Sequence, residues 1–332
     1  MRTVLFGWMI AGALAQEPAA EPAAGAEAGA EPAAMELPTD PAALRAAIRA
    51  QLTDVPPEVM DRVVEQLATN VELDRRLTYQ TGAVTLGDGL ATVTVSDGWR
   101  LLDGAAAADV LVAWGNPRPP VLPLAMLVPG GMSPMEDDAW AVLIDYEEDG
   151  HVDDSDAAGM DYAALLTEMQ EGTREEAKLR VEAGLQPLEL VGWAEPPHYD
   201  AAERKLYWAK HLRSPDGDSL NFDVRVLGRK GVLALSAVSG MGQLEEVRVG
   251  MQGLLPKVSF NDGNRYADFD PDIDAVAAAG IGALIAGKVA AKTGLFKGFL
   301  ALLFAGKKVI AAVVVALAAG ASKLFGKKDP SA

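Results

Sequence analysis

One stretch, Leu188 to Ser239, constrains the fold more than any other part of the chain. It reads LELVGWAEPPHYDAAERKLYWAKHLRSPDGDSLNFDVRVLGRKGVLALSAVS. Leu220, Phe222, Val224 and Val226 alternate with polar residues at the two-residue period of a strand. Pro215-Asp216-Gly217 and Gly228-Arg229-Lys230-Gly231 are turn signals. They divide that strand from Lys205 to Arg213 before it and Val232 to Val238 after it. A further run, Pro187 to Trp193, precedes them, and the segment around Pro196-Pro197 reads as a rigid turn. Strands joined in sequence by short turns predict an antiparallel meander. Trp193, Tyr199, Tyr207 and Trp208 anchor it in a chain with only 6% aromatic residues.

The flanking segments supply helices and a hairpin. Residues 41–51 and 56–76 have helical patterns, and Val59, Val63, Leu67 and Val71 form one apolar stripe. Pro56-Pro57 suits a helix start, where a missing N–H is harmless. The period then changes to two: residues 83–86 and 90–95 flank Gly87-Asp88-Gly89, a strong hairpin signal. A short strand, Trp99 to Leu102, leads to Asp103, a cap for a helix from Ala105 to Trp114 that Gly115-Asn116-Pro117 stops. Residues 121–128 read as a proline-bearing edge strand, and 139–146 as a better one. The longest helix of the domain runs from Asp161 to Gly184, its C-cap. It places Tyr162, Leu165, Leu166, Met169, Thr173 and Ala177 on one face. A helix from Leu244 to Leu255 and a strand from Val258 to Phe260 close the domain. The expected class is α+β, an antiparallel β-sheet packed with helices.

The two ends of the chain are of a different kind. Residues 1–15 have the pattern of a signal peptide: Arg2, an apolar run from Val4 to Leu14, and Ala13-Leu14-Ala15 as a small-x-small cleavage site. The other reading of this run is a buried N-terminal helix. Residues 16–39 are rich in Pro, Glu and Ala and read as a disordered tether. A helical segment at 40–80 and an α+β domain at 81–270, outside the cytoplasm, follow. From Ile273 onward there are eight lysines, no arginine and two aspartates. Residues 273–296 read as an amphipathic or partly inserted helix, Val276 to Phe296. Its small residues Ala279, Ala283, Gly287 and Ala291 recur every four positions, a spacing that suits self-association. Residues 299–326 read as a transmembrane anchor region whose best span is 309–325. That span has 17 residues, against about 20 for a typical bilayer. Lys323, Lys327 and Lys328 point to a cytoplasmic C-terminus and hence to the inner membrane of a bacterium. A helical hairpin of 276–296 with 299–325 is the alternative, and a buried helix of a soluble protein a third reading.

Charge and chemistry narrow the function. A net charge of −18 argues against nucleic acid as a partner. The chain has no cysteine, which removes disulfides, thiolate catalysis and Cys-ligated zinc. No cofactor is implied, because neither a P-loop nor a dinucleotide fingerprint is present. Acidic residues crowd between Asp145 and Asp156; Asp149, Asp153, Asp154 and Asp156 are the weak candidates for calcium, but their spacing departs from the calcium-loop pattern. Glu195, His198, Tyr199 and Asp200 are weak candidates for a catalytic group, a histidine beside carboxylates. Ser236 and Ser239 lack a nucleophile elbow and are set aside.

Several of these pieces carry a resemblance. They are Thr85 to Ala91, Trp114-Gly115-Asn116-Pro117, Glu148-Asp149-Gly150, Gly192 to Asp200, Lys205 to Lys210, Val226 to Gly231, and Arg265-Tyr266-Ala267-Asp268-Phe269. Together they resemble the bacterial membrane-anchored family known as domain of unknown function 2167, over roughly residues 75–325. The resemblance implies an exported domain with a C-terminal anchor and no known activity, so it assigns no catalytic residue. The order of elements in 139–260 also resembles the Mog1 and PsbP-like sandwich, a likeness of fold. The expected function is a non-catalytic binding or scaffolding module at the bilayer, in contact with envelope proteins. The alternatives are an envelope hydrolase or metal-dependent enzyme using Glu195–Asp200, and a helix-mediated membrane assembly factor.

Overall fold

The computed structural model describes residues 37–52, 55–136, 138–182, 186–215, 217–278 and 280–287. The expected signal peptide, most of the expected tether, Gly184, and the segments from 288 onward expected at the membrane lie outside the described residues. The described residues fall into two units, one up to Glu72 and one from Leu73 onward. The division falls inside the second helix.

In the first unit, α1 (Pro41–Gln51) starts on Asp40, whose carboxylate accepts the Ala43 N–H at 2.8 Å. Leu44 and Ile48 of α1 are fully buried against Val64, Ala68 and Val71 of α2 (Pro57–Arg76). The expected stripe is present, with Val64 and Ala68 added and Leu67 only half-buried. Arg45 forms a two-pronged pair with Glu65, at 2.7 and 2.9 Å.

The second unit is built on a seven-stranded antiparallel sheet. Its strands are β3 (Trp99–Asp103), β4 (Ala125–Pro129), β5 (Ala141–Glu147), β6 (Glu189–Asp200), β7 (Lys205–Ser214), β8 (Gly217–Leu227) and β9 (Val232–Gly240), in the order β3-β4-β5-β9-β8-β7-β6. The meander is therefore present, and β9 joins it to β5. A second sheet, β1-β2-β10, pairs the hairpin β1 (Gly82–Leu86) and β2 (Ala91–Val95) with β10 (Val258–Phe260).

Alternation along each strand decides which layer it meets. Leu220, Phe222, Val224 and Val226 of β8 face the main core. There they meet Val247, Met251 and Leu254 of α5 (Leu244–Leu254) and Val93, Val258 and Phe260 of the small sheet. The opposite face of the large sheet is covered at its two ends. Over β3 to β5 lies α3 (Gly104–Ala113), capped by Asp103, with Val110 and Leu111 against Leu102, Met126 and Leu143. Over β6 and β7 lie α4 (Tyr162–Glu182) and α6 (Ile281–Ala286), packed on Leu206, Trp208, Leu227 and Val232.

Four expectations need correction. β4 is not at an edge but between β3 and β5. Its prolines explain the misreading: Pro123 precedes the strand and Pro129 ends it, so neither removes an interior donor. Pro196-Pro197 is not a turn, because β6 continues through it to Asp200. β6 is an edge strand with register shifts between Leu190 and Gly192, Trp193 and Glu195, and Glu195 and His198, which absorb the missing N–H groups. No single helix covers Val276 to Phe296. Val276 bridges His151, the helix begins at Ile281, and Gly287 ends it at φ +69°. The spacing of Ala279, Ala283, Gly287 and Ala291 therefore does not lie on one continuous helix: Gly287 is a cap, and Ala279 and Ala291 fall outside the described residues. Among the described residues, no helix is long and apolar enough to cross a membrane.

Candidate functional site: a polar strip on the central sheet

The candidate catalytic residues follow one another along β6. Tyr199 points to the face of α4 and α6 and donates to Asp154 Oδ2 at 2.6 Å. His198, its neighbour, is exposed and lies against the Tyr207 ring, centroids 5.1 Å apart. Asp200 Oδ1 accepts the Ala202 and Glu203 N–H groups at 2.9 and 3.0 Å, which closes the turn into β7. That backbone bonding holds its carboxyl below the ordinary range. Glu195 pairs in register with Ala209, separated from His198 by a register shift. Glu195, His198 and Asp200 lie around Tyr207, whose phenol is pushed up by burial and by the Glu195 and Asp200 carboxylates, whereas Tyr199 turns to the other face.

The candidate calcium ligands are likewise engaged in holding loops. Asp154 accepts from Tyr199, from Tyr266 at 3.0 Å and from Arg204. Burial alone would raise its carboxyl; the two phenols and the guanidinium outweigh that and hold it low. Burial and the Asp154 bond in turn push the Tyr266 phenol up to about 12. Asp156 accepts the Ile281 and Gly282 N–H groups at 3.2 and 3.4 Å. Asp153 accepts the N–H of Ser155 at 2.8 Å. Asp149, beside Gly150, contributes to no three-residue cluster: among the described residues, no group of three histidines or carboxylates is gathered to hold a metal.

Chemistry concentrates elsewhere, between the helical covers. The strand registers stack three rows on the face that α3, α4 and α6 share. Asp145 stands beside Ala234, then Arg225, then Leu206; Leu143 beside Ser236, Asp223 and Trp208; Ala141 beside Val238, Asn221 and Lys210. Asp223 is 2% exposed and Arg225 5%, so both charges are out of water. Ser236 Oγ donates to Asp223 Oδ1 at 2.8 Å. Lys210 Nζ lies 3.2 Å from Asp223 Oδ2, an ion pair. Arg225 Nη1 is 3.6 Å from Asp223 Oδ1, and its Nη2 is 3.9 Å from Glu147 Oε1. The Arg225 guanidinium also sits 5.4 Å from the centre of the Trp208 ring.

The electrostatics of the two strip carboxyls diverge. Burial would raise Asp223, but Lys210, Arg225 and the Ser236 hydroxyl prevail and hold it below its ordinary value. Asp145 has no such escort. Burial first and the Glu147 carboxylate second push it up to about 7, against a smaller pull from Arg225. Three buried atoms of the strip lack a protein hydrogen-bond partner: Asn221 Oδ1, Arg225 Nε and Trp208 Nε1. Each such atom costs roughly 1–3 kcal/mol when nothing meets it. These atoms and the raised Asp145 carboxyl lie on one face of the large sheet.

Sequence reasoning missed this site. The polar positions of β8, Ser219, Asn221, Asp223 and Arg225, alternate with the core residues and read as the solvent face of a strand. The available signal was the position of β8 inside a meander between helices.

Solved structures similar to part of the chain include two of low TM-score. The solution structure of the cyanobacterial PsbP protein CyanoP from Synechocystis sp. PCC 6803 matches at a TM-score of 0.30 and 11% identity, over 56% of this chain and 94% of that one. The Ran-binding protein Mog1p of Saccharomyces cerevisiae matches at 0.30 and 12%, over 58% of this chain and 100% of that one. No curated protein matches the chain. Residues 78–318 match the family described as "Protein of unknown function (DUF2167)", and the chain belongs to that family.

Proposed function

We propose that this protein is an exported, inner-membrane-anchored binding module of a bacterial envelope, with its α+β domain outside the cytoplasm and its C-terminal tail inside. The observation that carries the binding reading is the polar strip, with three buried polar atoms that have no protein partner on the large sheet. Tyr199 turns away from Glu195, His198 and Asp200, which weighs against a hydrolase built on all four. Export and anchoring rest on the sequence of the two ends, the apolar run at Val4–Leu14 and the lysine-flanked run at 309–325.

Binding to the folded state raises the melting temperature by mass action. A thermal-denaturation screen of the full-length chain against amino acids, sugars and polyamines therefore tests the binding reading. The expected result is a compound that stabilises the wild type and not Asn221→Ala. If every stabilising compound acts equally on both, the strip is not the site. Reporter fusions after Lys257 and after Lys328 test the location, with the first expected outside the cytoplasm and the second inside. Two cytoplasmic reporters would overturn export.

A further inference from the structure

The small sheet has an open border. Its order is β1-β2-β10, so β1 is an edge strand, and among the described residues no strand pairs with its outer side. The alternation of the ladder tells which groups face that side. Asn261 donates its backbone N–H to Leu90 O at 3.0 Å, so Leu90 turns towards β10. In an antiparallel sheet successive residues of an inner strand turn to opposite neighbours. Ala91, Val93 and Val95 therefore turn towards β1, where they meet Leu86, Val84 and Gly82 in register. Ala83 and Thr85 are left with their N–H and C=O groups directed away from β2, and both residues are exposed.

This border has none of the usual guards against strand addition. On the large sheet, β6 carries two prolines and repeated register shifts. At the other border of the small sheet, β10 has only three residues and follows Pro256 and Lys257. β1 pairs with β2 in unbroken register and contains no proline. No charged residue occurs from Leu77 to Gly87.

We infer that β1 is the contact through which two copies of this chain associate, by antiparallel β1–β1 pairing about a two-fold axis at Val84. The axis makes the border its own complement. Ala83 meets Thr85 of the second copy and Thr85 meets Ala83, each pair exchanging N–H···O=C bonds in both directions. The half-buried Val84 side chains, packed beside the main core, come together across the axis. Charge selects the occupant. A second copy of a chain with net charge −18 can approach only where acids are absent, as they are along β1. The axis sets each Asp88 against Gln80 and keeps the two Asp88 carboxylates at opposite ends of the joined strands. An acidic or basic peptide would find no opposite charge on this edge. The pairing uses up both open borders and leaves the short β10 strands outside, so the assembly closes as a dimer.

The chain has no cysteine, so single cysteines report the register without background. Full-length Ala83→Cys and Thr85→Cys proteins, each changed at an exposed position, are mixed in non-ionic detergent and oxidised. Opposed Cα atoms of a hydrogen-bonded antiparallel pair lie about 5.5 Å apart, within disulfide reach. The mixed disulfide is expected to form faster than either symmetric one, whose sulfurs start a diagonal apart. Thr85→Pro removes an outward N–H and leaves the ladder to β2 intact. Sedimentation of the full-length chain over a concentration series is expected to show a monomer–dimer equilibrium that Thr85→Pro weakens at least tenfold. The cross-linking needs no proline variant, so a poorly folding Thr85→Pro leaves the proposal falsifiable. A wild type that stays monomeric, or cross-links without preference for the mixed pair, overturns the β1 contact. So does a dimer that Thr85→Pro leaves unchanged, the result expected if the C-terminal segments associate instead.

Discussion

Asp145→Asn is the perturbation whose effect on stability follows most directly from the structure. The carboxyl sits at about 7 in the folded chain because burial and Glu147 disfavour its charge. In the unfolded chain it titrates near its ordinary value of about 3.9. Between those two values the folded state holds a proton that the unfolded state has released. Stability contributed by this group is therefore fully present below about pH 4 and falls as the pH rises towards 7. The interval spans about three pH units at about 1.4 kcal/mol each, so the loss is on the order of 4 kcal/mol. Asparagine keeps the shape and carries no charge, so the variant lacks this component of the pH dependence. Urea denaturation of both proteins at intervals from pH 4.5 to 8 gives the difference curve. The variant should gain on the wild type by up to one proton's slope through that window and level off above pH 7. A flat difference curve would refute the claim that Asp145 is held in a dry and under-compensated place.

Two further predictions probe the elements that frame the strip. Tyr199→Phe removes the hydrogen bond to Asp154 and should cost about 1 kcal/mol, read as a lowered denaturation midpoint. Ligand affinity should be unchanged, since Tyr199 tethers a loop and is not part of the strip; a stability equal to wild type would count against that role. Leu284→Ala truncates a side chain 3% exposed in the cluster under α6 and should cost about 2–4 kcal/mol. Were Leu284 to face lipid, the full-length chain would show little loss of domain stability and altered membrane association instead.

What the sequence made legible follows from how each signal arises. Asp103 as a cap, the Gly87-Asp88-Gly89 hairpin and the alternation of Leu220 to Val226 depend on neighbours close in the chain, and all three appear in the structure. The strip depends on which strands become neighbours. Asn221, Asp223 and Arg225 have the same alternation whether water or a helical layer lies beyond them. Nothing local distinguishes the two cases. Ile281, Leu284 and Ile285 illustrate a related ambiguity. An apolar stripe on a short helix suits a bilayer or a core equally, and packing on Trp208 and Leu227 places these three in the core. At Pro196-Pro197 the usual rule, that paired prolines interrupt a strand, yields to the edge position of β6, where an absent N–H breaks no inner ladder.

That edge has a consequence for the protein at high concentration. An open sheet of seven strands offers two borders on which another copy could add a strand and begin a fibre. On β6 the prolines and repeated register shifts interrupt the row of free N–H and C=O groups that such addition needs. At the opposite border, Gln80 bonds in both directions with Leu101, at 2.8 and 3.0 Å, and occupies the middle of β3. The sheet is thereby blunted at both sides by its own chain. Restoring β6 to a regular strand, by replacing both prolines, would remove one of those guards and favour aggregation.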